Sequence, residues 1–242
     1  MTAPKPLVRA RALELGYGGR PLLPPIDLEL GPGEFWAVIG RNGCGKTTWL
    51  RTLVGLLPAI GGTVERRAGL RVAYQRQRGG VDDLYPVTAR DVVAMGTLRD
   101  RAFFGAGRDQ DREVARALGL LGASDLADTP FRALSEGQRQ RVLFARIAAS
   151  RPELALLDEP TSAMDRVAER EAFEWLARLR EEAGVTIVVV SHYLKLVADY
   201  ADHALLLDRD APAVVAGPAA VVLEHPAVSA AFEGSMARGL AS

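Results

Sequence analysis

The sequence predicts an α/β fold: a mainly parallel sheet, an antiparallel β unit near its start, and an inserted helical segment. Three observations carry this. Phe35–Ile39, Leu154–Leu157 and Val185–Val190 are short, nearly continuous apolar runs, as expected of strands buried on both faces. Amphipathic helical patterns separate such runs, and alternation of strands with helices implies parallel pairing. The run at Phe35–Ile39 also leads straight into a glycine-rich loop and a helix.

In chain order, Val8–Leu15 alternates and meets the turn cluster Gly16-Tyr17-Gly18-Gly19. Ile26–Leu30 alternates again and ends at Gly31-Pro32-Gly33, so the two segments read as an antiparallel pair at a sheet edge. A helix is expected from about Lys46 to Leu57, with Gly61-Gly62 closing that unit and a strand at Leu70–Tyr74. From about Thr88 to Ala149 the spacing turns helical, as at Val114, Ala117, Leu118 and Leu121, with a loop at Gly105-Ala106-Gly107. Ala168–Glu182 reads as an amphipathic helix ended near Gly184. Ala204–Leu207 and Ala213–Ala216 read as final strands, and Pro226–Phe232 as a short terminal helix.

The bulk properties are those of an ordinary folded domain, with 48% hydrophobic and 25% charged residues among 242. Thirty basic and thirty acidic residues balance, which argues against a dedicated nucleic-acid binder. Cys44 is the single cysteine, so no intrachain disulfide forms and a reducing, cytoplasmic compartment fits. The start Met1–Pro6 lacks the apolar core of a signal peptide, and no stretch has the ~18 apolar residues of a spanning helix.

Gly40-Arg41-Asn42-Gly43-Cys44-Gly45-Lys46-Thr47 fits the phosphate-binding pattern G-x-x-x-x-G-K-[ST]. Glycines let backbone N–H groups converge on an anion at a helix N-terminus, where the helix dipole assists. Lys46 is then the ligand of the β- and γ-phosphates, Thr47 a hydroxyl ligand for Mg²⁺, and Thr48 a hydroxyl near the α-phosphate. Cys44 reads as a small filler, its redox alternative lacking a thiolate-stabilising partner. Alone, the loop specifies a nucleoside triphosphate and no more.

The apolar run Leu154–Leu157 ends in Asp158-Glu159-Pro160. In open α/β sheets the ligand lies beyond the carboxyl ends of strands. Asp158 is there placed to hold Mg²⁺ through water, and Glu159 to orient or deprotonate an attacking water.

Further segments occur with these in the order expected of ABC ATPases. Leu134-Ser135-Glu136-Gly137-Gln138-Arg139-Gln140-Arg141 resembles the signature LSGGQ-x-Q-R, departing at Glu136, where glycine is usual. Independently of that resemblance, Ser135 reads as an N-cap, and the helix start with Gly137 offers N–H groups to an anion. Tyr74-Gln75-Arg76-Gln77 resembles the Q-loop segment Y-V-P-Q, which assigns metal and water contact to Gln77, with Gln75 the alternative. Ser162-Ala163-Met164-Asp165 resembles the D-loop SALD, and Ser191-His192 the switch region, where Tyr193 replaces the usual aspartate. Tyr17 matches the aromatic position that stacks on adenine.

The resemblance extends over essentially the whole chain. It implies a P-loop NTPase (RecA-like) core from residues 1–87 and 151–242, an antiparallel β subdomain, and a helical subdomain at 88–150 carrying the signature. It implies a homodimer enclosing two ATP·Mg²⁺, with Lys46, Thr47 and Asp158 of one copy facing Ser135, Gly137 and Gln138 of the other across a seam followed by Asp165. Glu159, His192 and Gln77 are the implied catalytic residues; Thr47, Gln77 and Asp158 serve the metal. Implied partners are integral membrane permease subunits and an extracytoplasmic substrate-binding protein, with the chain peripheral on the cytoplasmic side.

Val81–Thr88, Asp91–Gly96, His225-Pro226 and Phe232-Glu233-Gly234 look like the corresponding regions of zinc and manganese importer ATPases. Siderophore, haem or cobalamin importer ATPases are the alternative. His192, His203, His225 and Cys44 make poor zinc-ligand material, so metal specificity would reside in other subunits. ABC ATPases acting on DNA or ribosomes usually carry two cassettes or a long coiled coil; this chain shows one copy of each motif and no sustained heptads.

Overall fold

Phe35–Ile39 lies at the centre of the protein as β5, every residue buried. A computed structural model describes residues 5–77, 86–100, 108–162, 164–210 and 213–239. Before β5 come β1 (Val8–Glu14), the short β2 (Gly16–Tyr17) and β3 (Arg20–Pro21), and β4 (Ile26–Leu30). After it run α1 (Lys46–Val54), β6 (Gly61–Arg66), β7 (Val72–Gln75), α2 (Ala89–Ala94), α3 (Arg108–Leu120) and α4 (Glu136–Ala149). The second half contributes β8 (Leu154–Leu157), α5 (Arg166–Ala183), β9 (Thr186–Val190), α6 (Leu194–Tyr200), β10 (His203–Asp208), β11 (Ala213–Pro218), α7 (Ala219–Leu223) and α8 (Pro226–Gly239).

The main sheet has strand order β11-β10-β5-β9-β8-β7, all neighbours parallel except β10 and β11. A strand buried on both faces sends alternate residues to opposite layers. In β9, Val188 and Val190 join Trp49, Leu50 and Leu53 of α1 and the apolar face of β1 and β4. Ile187 and Val189 point the other way, into the layer of Phe144, Phe173, Trp175 and Leu176 from α4 and α5. A third cluster packs α6, α7 and α8 under β5 and β10.

Several elements differ from the expectation. β1 and β4 are antiparallel, but they form a separate three-stranded sheet with β6 as third strand. Gly61-Gly62 therefore opens a strand and does not merely close the preceding unit. That strand has no buried residue, so it lacks the apolar alternation that would reveal it. Helix α1 stops at Val54 because Gly55 takes a left-handed C-cap (φ 81°). Helix α6 is too short for periodicity to detect. The loop expected at Gly105-Ala106-Gly107 lies outside the described residues, as does most of Val81–Thr88.

Between Thr88 and Ser150 the described regular elements are helices, and a buried carboxylate pins them together. Glu113 of α3 is 7% exposed and accepts hydrogen bonds from Arg116 and from Arg151, which follows α4. Burial alone would raise its pKa, but the hydrogen bonds from Arg151 and Arg116 outweigh this and hold it below the ordinary glutamate range. Its stabilising contribution is present above the unfolded value of 4.5 and disappears as pH falls through the lower folded value. Glu113→Ala is expected to cost about 1–2 kcal/mol, the arginines being solvent-accessible. Thermal melts at pH 7 and pH 3.5 check this: the gap between parent and variant should narrow at the lower pH.

Candidate active site

The loop after β5 turns back on itself through Gly40 (φ 142°), Gly43 (φ 79°) and Gly45 (φ 108°). At Gly40 a Cβ would lie 2.1 Å from the Leu207 carbonyl oxygen of β10, so only glycine fits. The loop leads into α1, whose first residue is Lys46. The Lys46 side chain is 5% exposed, and Nζ donates to the carbonyls of Gly40 (2.8 Å) and Arg41 (3.0 Å). Asn42 is exposed at the tip of the loop. Cys44 is buried, and burial pushes its thiol pKa up, so it is an inert filler and not a reactive thiolate.

Three strand ends converge beside this loop. β5 neighbours β9, which neighbours β8, so residues far apart in sequence emerge side by side. After β8, the Thr47 hydroxyl donates to Asp158 Oδ1 at 3.1 Å. Glu159 follows in a left-handed conformation, φ 49°, which a non-glycine residue adopts at some cost. There its carboxylate meets three groups: His192 Nε2, from beyond β9, at 2.8 Å; Gln77 Nε2, from beyond β7, at 2.5 Å; and Lys46 Nζ at 3.7 Å. The His192 hydrogen bond chiefly lowers the Glu159 pKa; burial opposes it and the Lys46 charge assists. Glu159 is therefore ionised at neutral pH, as a group that orients or accepts a proton from water must be.

Asp158 is 2% exposed, and burial raises its pKa against the hydrogen bond from Thr47. With a raised folded pKa its ionisation disfavours the fold, and the deficit grows as pH rises above the unfolded value of 3.8. Asp158→Asn keeps an acceptor for Thr47 without the buried charge. It is expected to raise the melting temperature at pH 7 by about 2–4 °C, the shift produced by about 1 kcal/mol in a chain this size. A lower melting temperature in calorimetry would contradict this balance.

Tyr17 stands 56% exposed after β1, its hydroxyl 3.1 Å from Thr48 Oγ1, so an open aromatic face adjoins the phosphate loop. Gln75, the alternative to Gln77, is instead buried and hydrogen-bonded to Gln140 of α4. Of the two, Gln77 is therefore the one beside Glu159.

The signature residues form a different group. Ser135 caps α4 by accepting from Gln138 N (3.3 Å), and the Gln138 side chain accepts from Ser135 N (3.0 Å). The departure at Glu136 leaves this capping box intact, and an acid in the first turn suits the helix dipole. A Cβ on Gly137 would meet nothing within 4 Å, so its backbone is open to approach. Asp165 caps α5, accepting from Val167 N and Ala168 N. Sequence reasoning missed a neighbouring pair: the Thr161 hydroxyl donates to the buried Glu169 of α5 at 2.9 Å and so ties the loop after Glu159 to that helix. Tyr193, the other departure, donates its N–H to Ser191 Oγ and exposes its ring.

No group of three or more His, Cys, Asp or Glu able to hold a metal occurs among the described residues. No helix among them is long and apolar enough to cross a membrane.

A clustered lysine, carboxylate pair, histidine and glutamine at strand ends after a glycine loop is machinery for a nucleoside triphosphate. Known proteins agree. Residues 23–162 match the family model described as ABC transporter. The Zinc import ATP-binding protein ZnuC of Cereibacter sphaeroides is 38% identical over 203 residues, 84% of this chain and 79% of that protein. The protein of the same name from Yersinia pestis is 33% identical over 235 residues, covering 97% and 88%. Among solved structures, one described as an inward-facing metal-chelate type ABC transporter superposes with TM-score 0.84 at 28% identity, covering 95% of this chain and 90% of that one. The phosphate loop, the strand-end carboxylates and these matches together lead to one conclusion: the chain belongs to the ABC transporter family, as an ATP-binding subunit that hydrolyses ATP.

Proposed function

We propose that two copies of this chain close over two ATP molecules and thereby drive import of a metal ion, of the zinc type, through separate membrane permease subunits. The supporting observation within the site is the convergence of Lys46, Gln77 and His192 on Glu159. The cargo reading rests on the relatives named as zinc import proteins. A substrate-binding protein outside the membrane would deliver the ion to the permease.

In this reading Lys46 neutralises the β- and γ-phosphates, aided by the N–H groups of Gly43, Gly45 and the α1 N-terminus. Tyr17 stacks on adenine and Thr48 holds the α-phosphate end. The oxygen donors Thr47 and Asp158, already 3.1 Å apart, suit Mg²⁺, with Gln77 the third residue toward it. Bound there, Mg²⁺ would supply neutralisation of phosphate charge. Glu159, ionised and anchored by His192 and Gln77, orients the attacking water and takes its proton. Ser135, Gly137 and Gln138 face the γ-phosphate held by the other copy, with Asp165 ordering the seam between them.

A metal-chelate cargo is the second reading, favoured by the structural likeness at TM-score 0.84. One experiment separates the possibilities. The tagged chain is purified from its own host with its partners identified by mass spectrometry, and uptake of labelled zinc and of an iron chelate is measured with and without it. A polytopic permease together with lost zinc uptake supports the proposal. Lost chelate uptake with intact zinc uptake replaces it by the second reading, and recovery of ribosomal or DNA-repair proteins alone overturns transport.

A further inference from the structure

Gln75 is the last residue of β7, and its backbone carbonyl accepts the amide of Asp158 at 3.0 Å. Its side chain runs the other way and donates from Nε2 to Gln140 Oε1 of α4 at 3.3 Å. Gln75 is 6% exposed and Gln140 4%. One residue thus joins the strand end carrying the Asp158–Glu159 pair to the helix that Ser135 caps. Gln77, two residues on, holds Glu159.

The pair is polar where an apolar pair would pack at less risk. Gln75 Oε1 and Gln140 Nε2 have no hydrogen-bond partner, and unsatisfied buried amides are rare enough to require a reason. Both residues line a cleft of about 120 Å³ bounded also by Gln77, Glu136 and Glu159. Such a contact holds direction, because an amide pair has one good alignment whereas aliphatic side chains slide.

We infer that Gln75 and Gln140 are positioning residues for hydrolysis, an amide latch that fixes the signature helix to the catalytic strand ends. When α4 shifts, the latch transmits the shift to the β7 end, and so to Asp158 through the backbone and to Glu159 through Gln77. Neither residue is among those assigned to the nucleotide. The inference rests on the catalytic reading of Glu159.

The test compares Gln75→Leu, Gln140→Leu and the double variant in the full-length chain, by ATPase kinetics and thermal melting. Each single change strands one amide against leucine and is expected to lower Tm, whereas the double change removes both amides and should restore it. The expected result is that the restored double variant still loses kcat by about tenfold or more, as loss of positioning does, with KM for ATP unchanged. Recovery of Tm and kcat together would reduce the pair to packing and overturn the inference, as would parental kcat in both single variants. Should the leucine variants not fold, Gln75→Met keeps the length without the amide; parental kcat there also overturns it. Glu159→Gln is assayed in parallel. If that variant retains turnover, the catalytic reading has failed; if it does not, a parental rate in the glutamine variants counts against the latch alone.

Discussion

Glu159→Gln is expected to cut ATP turnover by about 10²–10⁴-fold, the usual contribution of a positioned base, while leaving ATP binding intact. Glutamine keeps the shape and can still pair with Gln77 and His192, but it cannot accept a proton from water. It also removes a negative charge 3.7 Å from Lys46 Nζ, where phosphate charge would accumulate, so nucleotide should be held as tightly or more so. Light scattering with ATP should show a dimer that persists, where the parent returns to its resting state. Turnover equal to the parent would remove Glu159 from the mechanism. The pH profile gives a second check. The hydrogen bond from His192 lowers the Glu159 pKa below its ordinary 4.5, so Glu159 stays ionised as pH falls to that value. The acid limb of the rate due to this group should therefore lie below pH 4.5.

Lys46→Ala is expected to weaken ATP binding by about a hundredfold. A charge-assisted hydrogen bond is worth about 1.5–3 kcal/mol, and the larger figure corresponds to roughly two decades in affinity. The effect is large because the ammonium is 5% exposed and little solvent screens it. The change also removes the ammonium that the carbonyls of Gly40 and Arg41 share, leaving Arg41 only the Cys44 amide and loosening the loop itself. Titration calorimetry with ATP and Mg²⁺ measures the change, and an affinity near the parent's would mean that this loop is not the phosphate site.

The two residues differ in how readily sequence reveals them. Lys46 sits in a contiguous motif between a buried strand and a helix, so spacing alone gives its place. Glu159 is legible because four apolar residues precede an acidic pair. Gln77 was not separable from Gln75 by spacing: Gln75 ends β7 with its side chain against Gln140 of α4, whereas Gln77 lies beyond the strand end and reaches Glu159. The Gln75–Gln140 contact spans 65 residues and the Glu159–His192 contact 33, so neither is written in any local pattern. The main sheet was readable because its central strands are wholly apolar. β6 was not, because Gly-Gly-Thr-Val-Glu-Arg gains its strand form from pairing with β1 and not from burial. Local propensity is a weak guide wherever tertiary pairing sets the conformation.

The strand order has a consequence for how the protein comes into being on the ribosome. β5, which launches the phosphate loop, pairs with β9 and β10 and with nothing made earlier. β9 begins at Thr186, about 150 residues after β5 ends. At about 5–20 residues per second, that strand waits roughly 8–30 s for its first neighbour, with Phe35 to Ile39 unpaired on both edges. Long-range pairing of this kind is slow and leaves apolar strands open to aggregation. The nascent chain is therefore open to that risk through most of its synthesis, and the Lys46–Glu159–His192 cluster forms only when His192 has emerged.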